Sequence, residues 1–155
     1  MDRQSFEQLY IVLLPSLYRL ARGILNHPQD AEDAVQNAAL KALKAINRMK
    51  QGGERAYITR IVINECHNIG CKRRREVVTD TLPDAAVDMP GSDLKAALDA
   101  LPERLRLPLL IKYMEGYSEE ETARILGISR AALKSRLHKA RRLMSEQLSV
   151  EEDEK

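Results

Sequence analysis

The chain has 155 residues, of which 44% are hydrophobic, and 25 Lys and Arg against 23 Asp and Glu give it a net charge of +2. This length and apolar content support folded cores in one domain or two small ones. The N-terminus, MDRQSFEQLY, is polar, and no apolar run reaches the roughly 18 residues of a membrane span. We therefore expect no signal peptide, no membrane insertion and a cytoplasmic location.

The distribution of charge along the chain is uneven. Residues 1–75 carry 13 Lys and Arg against 7 Asp and Glu, and residues 94–150 carry 11 against 7. Residues 76–93 carry five acidic residues and no basic one. Two basic modules separated by an acidic connector indicate two contacts with one polyanion.

Helical spacing dominates the chain: it has only seven glycines and no sustained alternation of apolar with polar residues, so we predict an all-α protein. The first helix covers residues 4–25, and Pro15 is expected to break or kink it. Asn26-His27-Pro28 predicts a turn. A second helix should follow from about Gln29 to Met49.

The outer face of this second helix carries one apolar residue, Leu40, among the polar residues Asp30, Asp33, Gln36, Asn37, Lys41 and Lys44. A lone apolar residue on a surface usually has no special meaning. The same arrangement is also typical of a protein-docking site, in which hydrogen-bonding groups surround an apolar anchor. The pattern alone does not decide between these interpretations.

Residues 50–53, Lys-Gln-Gly-Gly, predict a flexible polar loop, and a third helix should follow over residues 54–74. Arg60 and Asn64 share a polar face of that helix. The basic run from Lys72 to Arg75 closes the module. A cationic helix end is often simply solvated, but beside a polar helix face it favours phosphate contacts.

The two cysteines, Cys66 and Cys71, predict no special chemistry. Together with His67 they offer three metal ligands without a convincing fourth, so we expect no metal site, no cofactor and ordinary reduced thiols. The chain has no catalytic triad with supporting context, no phosphate-binding glycine motif and no carboxylate pair with a pocket. We therefore expect no enzyme activity.

Two acidic segments are expected to lie outside the folded modules. Residues 76–93 contain two prolines and four aspartates without a strong helical period, which predicts a flexible linker. Beyond Leu148, residues 151–155 should form a frayed acidic tail.

Between the linker and the last helices, Ser92 or Asp93 should cap a helix whose inward-facing residues are Leu94, Ala97, Leu98 and Leu101. Leu101-Pro102 predicts a break. A further helix then extends to Gly116, and Pro108 predicts a kink or a late start within it.

Residues 118–142 predict a helix-turn-helix. Ser118 followed by Glu121 is a capping box that starts the first helix. Gly127 suits the left-handed turn that ends this helix, and Ser129 offers a hydroxyl to cap the second one. Such a pair of helices is a common DNA-binding unit.

The second of these helices has one apolar side, and no acidic residue occurs between Arg130 and Ser145. A merely solvated basic helix would usually mix both signs of charge, whereas this pattern fits the DNA major groove. Arg130 and Lys134, near the helix N-terminus, are expected to read guanine edges. Phosphate or positioning contacts are expected from Ser129, Ser135, Arg136, His138, Lys139 and Arg142.

Residues 5–148 resemble a bacterial sigma factor of the extracytoplasmic-function (ECF) group, in the sigma-70 family. The strongest similarity extends from Leu101-Pro102 to Arg142. It includes a Tyr-x-Glu-Gly-Tyr-Ser segment, Tyr113 to Ser118, and the run Lys-Ser-Arg-Leu-His-Lys-Ala, Lys134 to Ala140. Asp30 to Gln36 and Ala56 to Asn64 resemble two signatures of the family's second conserved region. The chain departs from the family at Asn37 (usually Glu), at Tyr57 (often Trp) and at residues 131–133 (often Gly-Thr-Val).

The resemblance implies a region 2 domain over residues 1–75, a linker over 76–93, a region 4 domain over 94–150 and an acidic tail. It also implies that the last helix binds the minus-35 element. Core RNA polymerase, through its β′ clamp helices, would be bound by Asp30, Asp33, Gln36, Asn37 and Leu40. The minus-10 element would be bound by Lys50, Gln51, Arg60, Asn64, Lys72, Arg73 and Arg74.

We therefore expect a monomeric promoter-recognition subunit whose partners are core polymerase (the β′ and β subunits), promoter DNA and an anti-sigma factor. Two alternatives stay open: a helix-turn-helix repressor or activator, and a polymerase-binding adaptor. A repressor should dimerise and bind duplex DNA alone. An adaptor would bind polymerase and tolerate loss of Arg130 and Lys134. Tyr57 is open to either a core role or base stacking.

Overall fold

A computed structural model describes residues 1–76 and 92–153, with side chains described for residues 1–72 and 94–148. All regular secondary structure in these ranges is helical, which confirms the all-α expectation. The chain divides into two compact units, Met1–Thr81 and Leu82–Lys155. Most of the predicted linker, residues 77–91, lies outside the described residues.

The first unit contains three helices, α1 (Arg3–Leu25), α2 (Pro28–Lys44) and α3 (Glu54–Glu76), which pack against one another in pairs. The carboxylate of Asp2 begins α1 by accepting a hydrogen bond from the Ser5 N–H at 2.8 Å, and this bond lowers the pKa of Asp2. Asn26 ends α1 in a left-handed conformation, with φ of 61°.

Helix α1 runs through Pro15 without a break, so the predicted break is wrong, and the alternative of a kink stays a prediction. Proline removes the hydrogen bond to the carbonyl four residues earlier, which belongs to Ile11. Both Pro15 and Ile11 are exposed, so water can bond that carbonyl. Burial of Leu13 and Leu17 on the opposite side holds the helix together across the proline.

Helix α2 ends at Lys44 rather than at Met49, and a 3-10 turn, Ile46–Arg48, follows it. The Ala45 N–H donates to two carbonyls, those of Lys41 at 3.2 Å and Ala42 at 3.0 Å. This sharing tightens the last turn and ends the α-helix. The apolar spacing continues through Ile46, which is why the sequence indicated one longer helix.

Four alanines and Val35 form the buried side of α2. Ala31, Ala34, Ala38 and Ala42 are all 0% exposed, and they let the larger side chains of α1 and α3 approach closely. Tyr10 of α1 donates a hydrogen bond from its hydroxyl to the Val35 carbonyl at 2.5 Å, and burial raises the pKa of Tyr10. This bond satisfies the one polar atom that the Tyr10 side chain brings into the core.

The second unit contains α4 (Ser92–Asp99), α5 (Glu103–Leu109), α6 (Glu119–Leu126) and α7 (Arg130–Asp153). Leu101, Leu105 and Leu109 share one apolar core with residues of α6 and α7. Arg106 is buried and donates to the Leu101 carbonyl at 3.1 Å. Its cation therefore lies at the C-terminal end of α4, where it complements the helix dipole.

Helix α5 begins directly after Pro102, as the sequence predicts, and Pro108 neither delays nor stops it. The chain instead widens into a π-helical turn, Leu110–Met114, in which the Glu115 N–H donates to the Leu110 carbonyl at 3.2 Å. This bond joins residues five apart, where an α-helix joins residues four apart, so the turn accommodates one extra residue. Gly116 ends this segment with φ of 74°.

Two further expectations need correction. Leu94 is 57% exposed rather than inward-facing, because α4 packs on α7 through its second turn, with Ala97 buried. Helix α7 continues to Asp153, so residues 151–153 extend the helix rather than fray. No glycine or proline follows Gly127 to stop the helix.

Within residues 1–76 and 92–153, no helix combines the length and apolarity needed to cross a lipid bilayer. Over the same ranges, no three His, Cys, Asp or Glu side chains cluster as metal ligands would. Cys66 is buried in the first unit, and Cys71 is exposed.

Candidate nucleic-acid interface

The helix-turn-helix forms where the sequence places it. Ser118 accepts a hydrogen bond from the Glu121 N–H at 3.1 Å, and Ser129 accepts one from the Ala132 N–H at 3.1 Å. Gly127 adopts φ of 69° between the two helices. These three local features fix the first turn of α7 relative to α6.

The apolar side of α7 faces the core of its unit. Leu133, Leu137 and Ala140 are at most 1% exposed and share a cluster with Ala123 and the leucines of α5. The burial of this side holds α7 on the unit and leaves its cationic side in solvent. Seven of the eight predicted minus-35 residues are exposed, and they are Ser129, Arg130, Lys134, Ser135, His138, Lys139 and Arg142. Arg136 is half-buried.

The exposed residues of α7 do not form a single patch. At 3.6 residues per turn, Arg130 and Lys134 lie on one line along the helix, and Lys139 lies on the opposite side from Arg130. Arg142 lies between these flanks, with its Nε 3.9 Å from a carboxylate oxygen of Glu146. The structure therefore brings the two predicted base readers together and distributes the predicted phosphate contacts around the remaining surface.

A second set of polar residues, which the sequence pattern did not single out, borders α7. Arg141 donates a hydrogen bond to the hydroxyl of Tyr113, and the Arg141 guanidinium carbon lies 5.3 Å from the centre of that ring. Lys112 Nζ lies 5.2 Å from the same ring centre and 2.8 Å from Glu119 Oε1. The π-helical turn and the start of α6 thus form a polar border beside α7.

The Arg141 contact places the border on the side of α7 that carries the predicted base readers. Arg141 follows Arg130 by 11 residues and so lies on the same line of α7 as Arg130 and Lys134. The pKa of Glu119 is lowered by its hydrogen bond from Lys112 and by the charges of Lys134 and Arg130. The only sequence signal for this arrangement was the helical phase of Arg141, since its partner Tyr113 is 28 residues away.

The predicted polymerase-docking residues lie on the solvent side of α2. Leu40 is 62% exposed, Asp33, Gln36 and Asn37 are exposed, and Asp30 is half-buried. The neighbouring Lys41 forms an ion pair with the buried carboxylate of Glu65 and so ties α2 to α3. This face presents an apolar side chain among polar ones, a composition found both on ordinary surfaces and on docking surfaces.

The predicted minus-10 residues lie on the loop before α3 and along that helix. Lys50 and Gln51 are exposed in a hydrogen-bonded turn, since the Gly52 N–H donates to the Glu54 carboxylate at 3.0 Å and the Gly53 N–H donates to the Lys50 carbonyl at 2.9 Å. The loop therefore contains hydrogen bonds that the sequence pattern did not indicate. The remaining exposed members of this set are Arg60, Asn64 and Lys72.

Three other residues belong to this region. One is half-buried, and the side chains of the other two lie outside the described residues. Tyr57 is half-buried, so it is compatible with both roles considered for it. The side chains of Arg73 and Arg74 lie outside the described residues. Their backbone continues α3 to Glu76.

Two family models match the chain in the two units. Sigma-70 region 2 matches residues 9–76, and Sigma-70, region 4 matches residues 92–144. The first match includes α2 and α3, and the second includes the helix-turn-helix.

Comparison with individual proteins also finds sigma factors. The ECF RNA polymerase sigma factor SigM of Mycobacterium tuberculosis (strain H37Rv) is 33% identical over 90% of this chain and 75% of that protein. SigE of Mycolicibacterium smegmatis, also an ECF RNA polymerase sigma factor, is 26% identical over 97% of this chain and 64% of that protein.

A solved structure extends the likeness to the fold. The sigma factor RpoE of Bartonella quintana, in complex with the anti-sigma factor NepR, superposes with a TM-score of 0.80 at 28% identity, over 95% of this chain and 98% of that one. These relatives favour the sigma-factor hypothesis over the repressor and the adaptor. The chain belongs to the ECF RNA polymerase sigma factors of the sigma-70 family.

Proposed function

We propose that this chain directs core RNA polymerase to specific promoters and starts DNA melting there. The observation that carries this proposal is the placement of α7, which buries its apolar side and leaves Arg130 and Lys134 exposed in its first turns. A helix-turn-helix presents that end of its second helix to base edges. The chain would work as a cytoplasmic monomer and perform no chemical step of its own.

At the minus-35 element, α7 would lie in the major groove. Arg130 and Lys134 would donate hydrogen bonds to guanine O6 and N7. Ser135, His138, Lys139 and Arg142 would contact phosphates and fix the register of the helix. The half-buried Arg136 would position the helix rather than reach a base. The hydroxyl of Ser129 already caps α7 by accepting a hydrogen bond from the Ala132 N–H.

At the minus-10 element, the turn at residues 50–53 and the exposed side of α3 would hold the separating strand. Extruding a base costs a few kcal/mol, and a pocket must return that energy through hydrogen bonds to the base edge. A loop that its own hydrogen bonds already order loses less entropy on binding. Arg60 and Asn64 lie one helical turn apart on α3 and would contact the backbone of the strand.

On the polymerase, the exposed side of α2 would dock on the β′ clamp helices, with Leu40 as the anchor. Asp33, Gln36 and Asn37 would surround it with hydrogen-bonding groups. The acidic linker of residues 76–93 would pass through the polymerase and mimic the charge of nucleic acid. Reversal of these acidic charges should therefore alter initiation or abortive synthesis.

An anti-sigma factor is the remaining partner that we propose. The support is that RpoE of Bartonella quintana, which is similar over nearly its whole length, was solved in complex with NepR. A dedicated antagonist that covers α2 or α7 would block polymerase or promoter binding. Co-purification from the native host, followed by competition with core polymerase, tests this part of the proposal.

Run-off transcription with core polymerase tests the function as a whole. The variant Arg130→Ala/Lys134→Ala should lose about 1–3 kcal/mol of promoter discrimination for each base contact removed, and it should still bind polymerase. The variant Lys95→Ala/Arg104→Ala is the matched control, because it removes two exposed charges from α4 and α5 of the same unit.

Three results would contradict the proposal. A chain that does not bind core polymerase is not a sigma factor. A chain that dimerises and binds operator duplex tightly alone behaves as a repressor. A chain whose Arg130→Ala/Lys134→Ala variant keeps full promoter selectivity behaves as an adaptor.

A further inference from the structure

One acidic side chain, that of Glu119, lies at the edge of the cationic surface that we propose for DNA. Its Oε1 is 2.8 Å from Lys112 Nζ, and the two side chains are 29% and 22% exposed. This pair is more buried than the neighbouring Arg124–Glu120 pair, whose members are 77% and 62% exposed. The Glu119 carboxylate is therefore held in one position, whereas Glu120 remains solvated.

The position of Glu119 is set by the border beside α7. Tyr113 accepts a hydrogen bond from Arg141, and Lys112 lies over the same ring, so the segment from Lys112 to Glu119 is fastened to the side of α7 that carries Arg141. Arg130 and Lys134 occupy that same side by helical phase. Their charges also act on Glu119, in agreement with this placement.

A carboxylate at such a place is unfavourable for general DNA binding. It repels phosphates and the acceptor atoms of guanine and thymine, and it reduces the positive field that attracts a polyanion. In the major groove, however, a carboxylate accepts a hydrogen bond from cytosine N4, and adenine N6 offers a similar amino group. Repulsion of wrong partners combined with one favourable contact is how specificity is commonly built.

We propose that Glu119 is a specificity-determining residue of the DNA interface. It favours a base pair that presents an exocyclic amino group in the major groove, next to the base pairs that Arg130 and Lys134 read. This inference rests on the proposed function. Lys112 is its positioning residue, because it fixes the carboxylate and neutralises part of its charge.

Selection from duplexes randomised across the minus-35 element tests this inference, with polymerase reconstituted with the full chain. The variant Glu119→Gln retains an acceptor for Lys112 but also gains a donor. We expect it to relax or change the preference at one position by about 5-fold or more, while bases read by Arg130 and Lys134 stay selected. It should also bind random-sequence duplex more tightly than the wild type.

The variant Glu120→Gln is the matched control. It makes the same change one residue away and alters the net charge equally, so long-range electrostatic effects are the same in both variants. We expect Glu120→Gln to select the wild-type sequence. Thermal unfolding of both variants shows whether either change disturbs the fold.

The inference is overturned if Glu119→Gln and the wild type select the same bases, whether or not their thermal stabilities differ. A lower unfolding temperature with unchanged selection would show that the pair with Lys112 is only structural. Should Glu119→Gln prove too unstable to assay, the same selection with Lys112→Gln, which releases the carboxylate, must change the preference at that position. Failure of the proposed function gives a different result, because the wild-type complex itself would then select no sequence.

Discussion

Arg141 of the last helix donates a hydrogen bond to the hydroxyl of Tyr113 in the π-helical turn. The bond joins the helix that we propose for the major groove to the segment that precedes the helix-turn-helix. Lys112 Nζ lies 5.2 Å from the centre of the Tyr113 ring. The aromatic ring is thus a shared contact for two cations that would otherwise be independent.

Replacement of Tyr113 separates the contributions of its ring and its hydroxyl. Tyr113→Phe removes one hydrogen bond to a charged group on an exposed surface and should reduce the free energy of unfolding by about 0.5–1.5 kcal/mol. Tyr113→Ala also removes two exposed cation–π contacts, each worth about 0.5–1 kcal/mol, and should cost more. Urea unfolding of the full chain measures both changes, and equal losses would contradict this account of the ring.

Lys139 is proposed to contact a phosphate, so its loss should weaken binding to all sequences alike. Lys139→Gln should reduce the slope of log affinity against log salt by about 0.9 without altering base preference. Titrations of the polymerase complex with promoter duplex at several salt concentrations measure the slope. Lys95→Gln, in α4, is the charge-matched control and should leave the slope unchanged. An altered base preference in Lys139→Gln would contradict the assignment.

Leu40 is proposed as the apolar anchor for polymerase. Leu40→Ala should weaken binding to core polymerase by about 1–2 kcal/mol, the range of an ordinary interface anchor, and leave the fold intact because the side chain is exposed. Fluorescence anisotropy with core enzyme measures the affinity. Leu94→Ala removes a similarly exposed leucine from the other unit and should bind normally. Equal binding by Leu40→Ala and wild type would support the alternative that Leu40 is an ordinary surface residue.

The ion pair between Lys41 and Glu65 joins α2 to α3, and its two members are unequally exposed at 58% and 6%. Lys41→Met would leave a buried carboxylate without its ion-pair partner and should destabilise the fold by about 1–3 kcal/mol at neutral pH. The double variant Lys41→Met/Glu65→Met should recover part of that loss, because no charge is then left buried. Chemical unfolding measures both, with Lys44→Met as the control for an exposed lysine of α2.

Local chemistry made much of this fold predictable. Ser118, Gly127 and Ser129 each determine a helix end through contacts within four residues, and all three act as the sequence indicated. The buried side of α7 followed from apolar residues at helical spacing. The family resemblance rests on these same segments, which is why fold and family were both accessible from the chain alone.

Contacts between residues that are distant in the sequence could not be predicted from local patterns. The rule that proline interrupts a helix was wrong at Pro15, where burial on the opposite side of α1 outweighs one lost hydrogen bond. At Pro108 the helix widened into a π turn instead of starting late. The pairing of Tyr113 with Arg141 and of Lys41 with Glu65 depends on how helices meet, and no spacing within one helix encodes it.

The buried alanines of α2 limit which residues of this domain can be substituted. Four methyl-sized side chains fill the contact between α2 and its neighbours, and each is 0% exposed, so any larger residue there would force the helices apart. The exposed residues of α2 lie outside that close contact, although Lys41 also joins α2 to α3 through its ion pair with the buried Glu65. The inner side therefore tolerates almost no change, while the outer side, apart from Lys41, can be altered residue by residue to suit a different protein surface without disturbing the bundle.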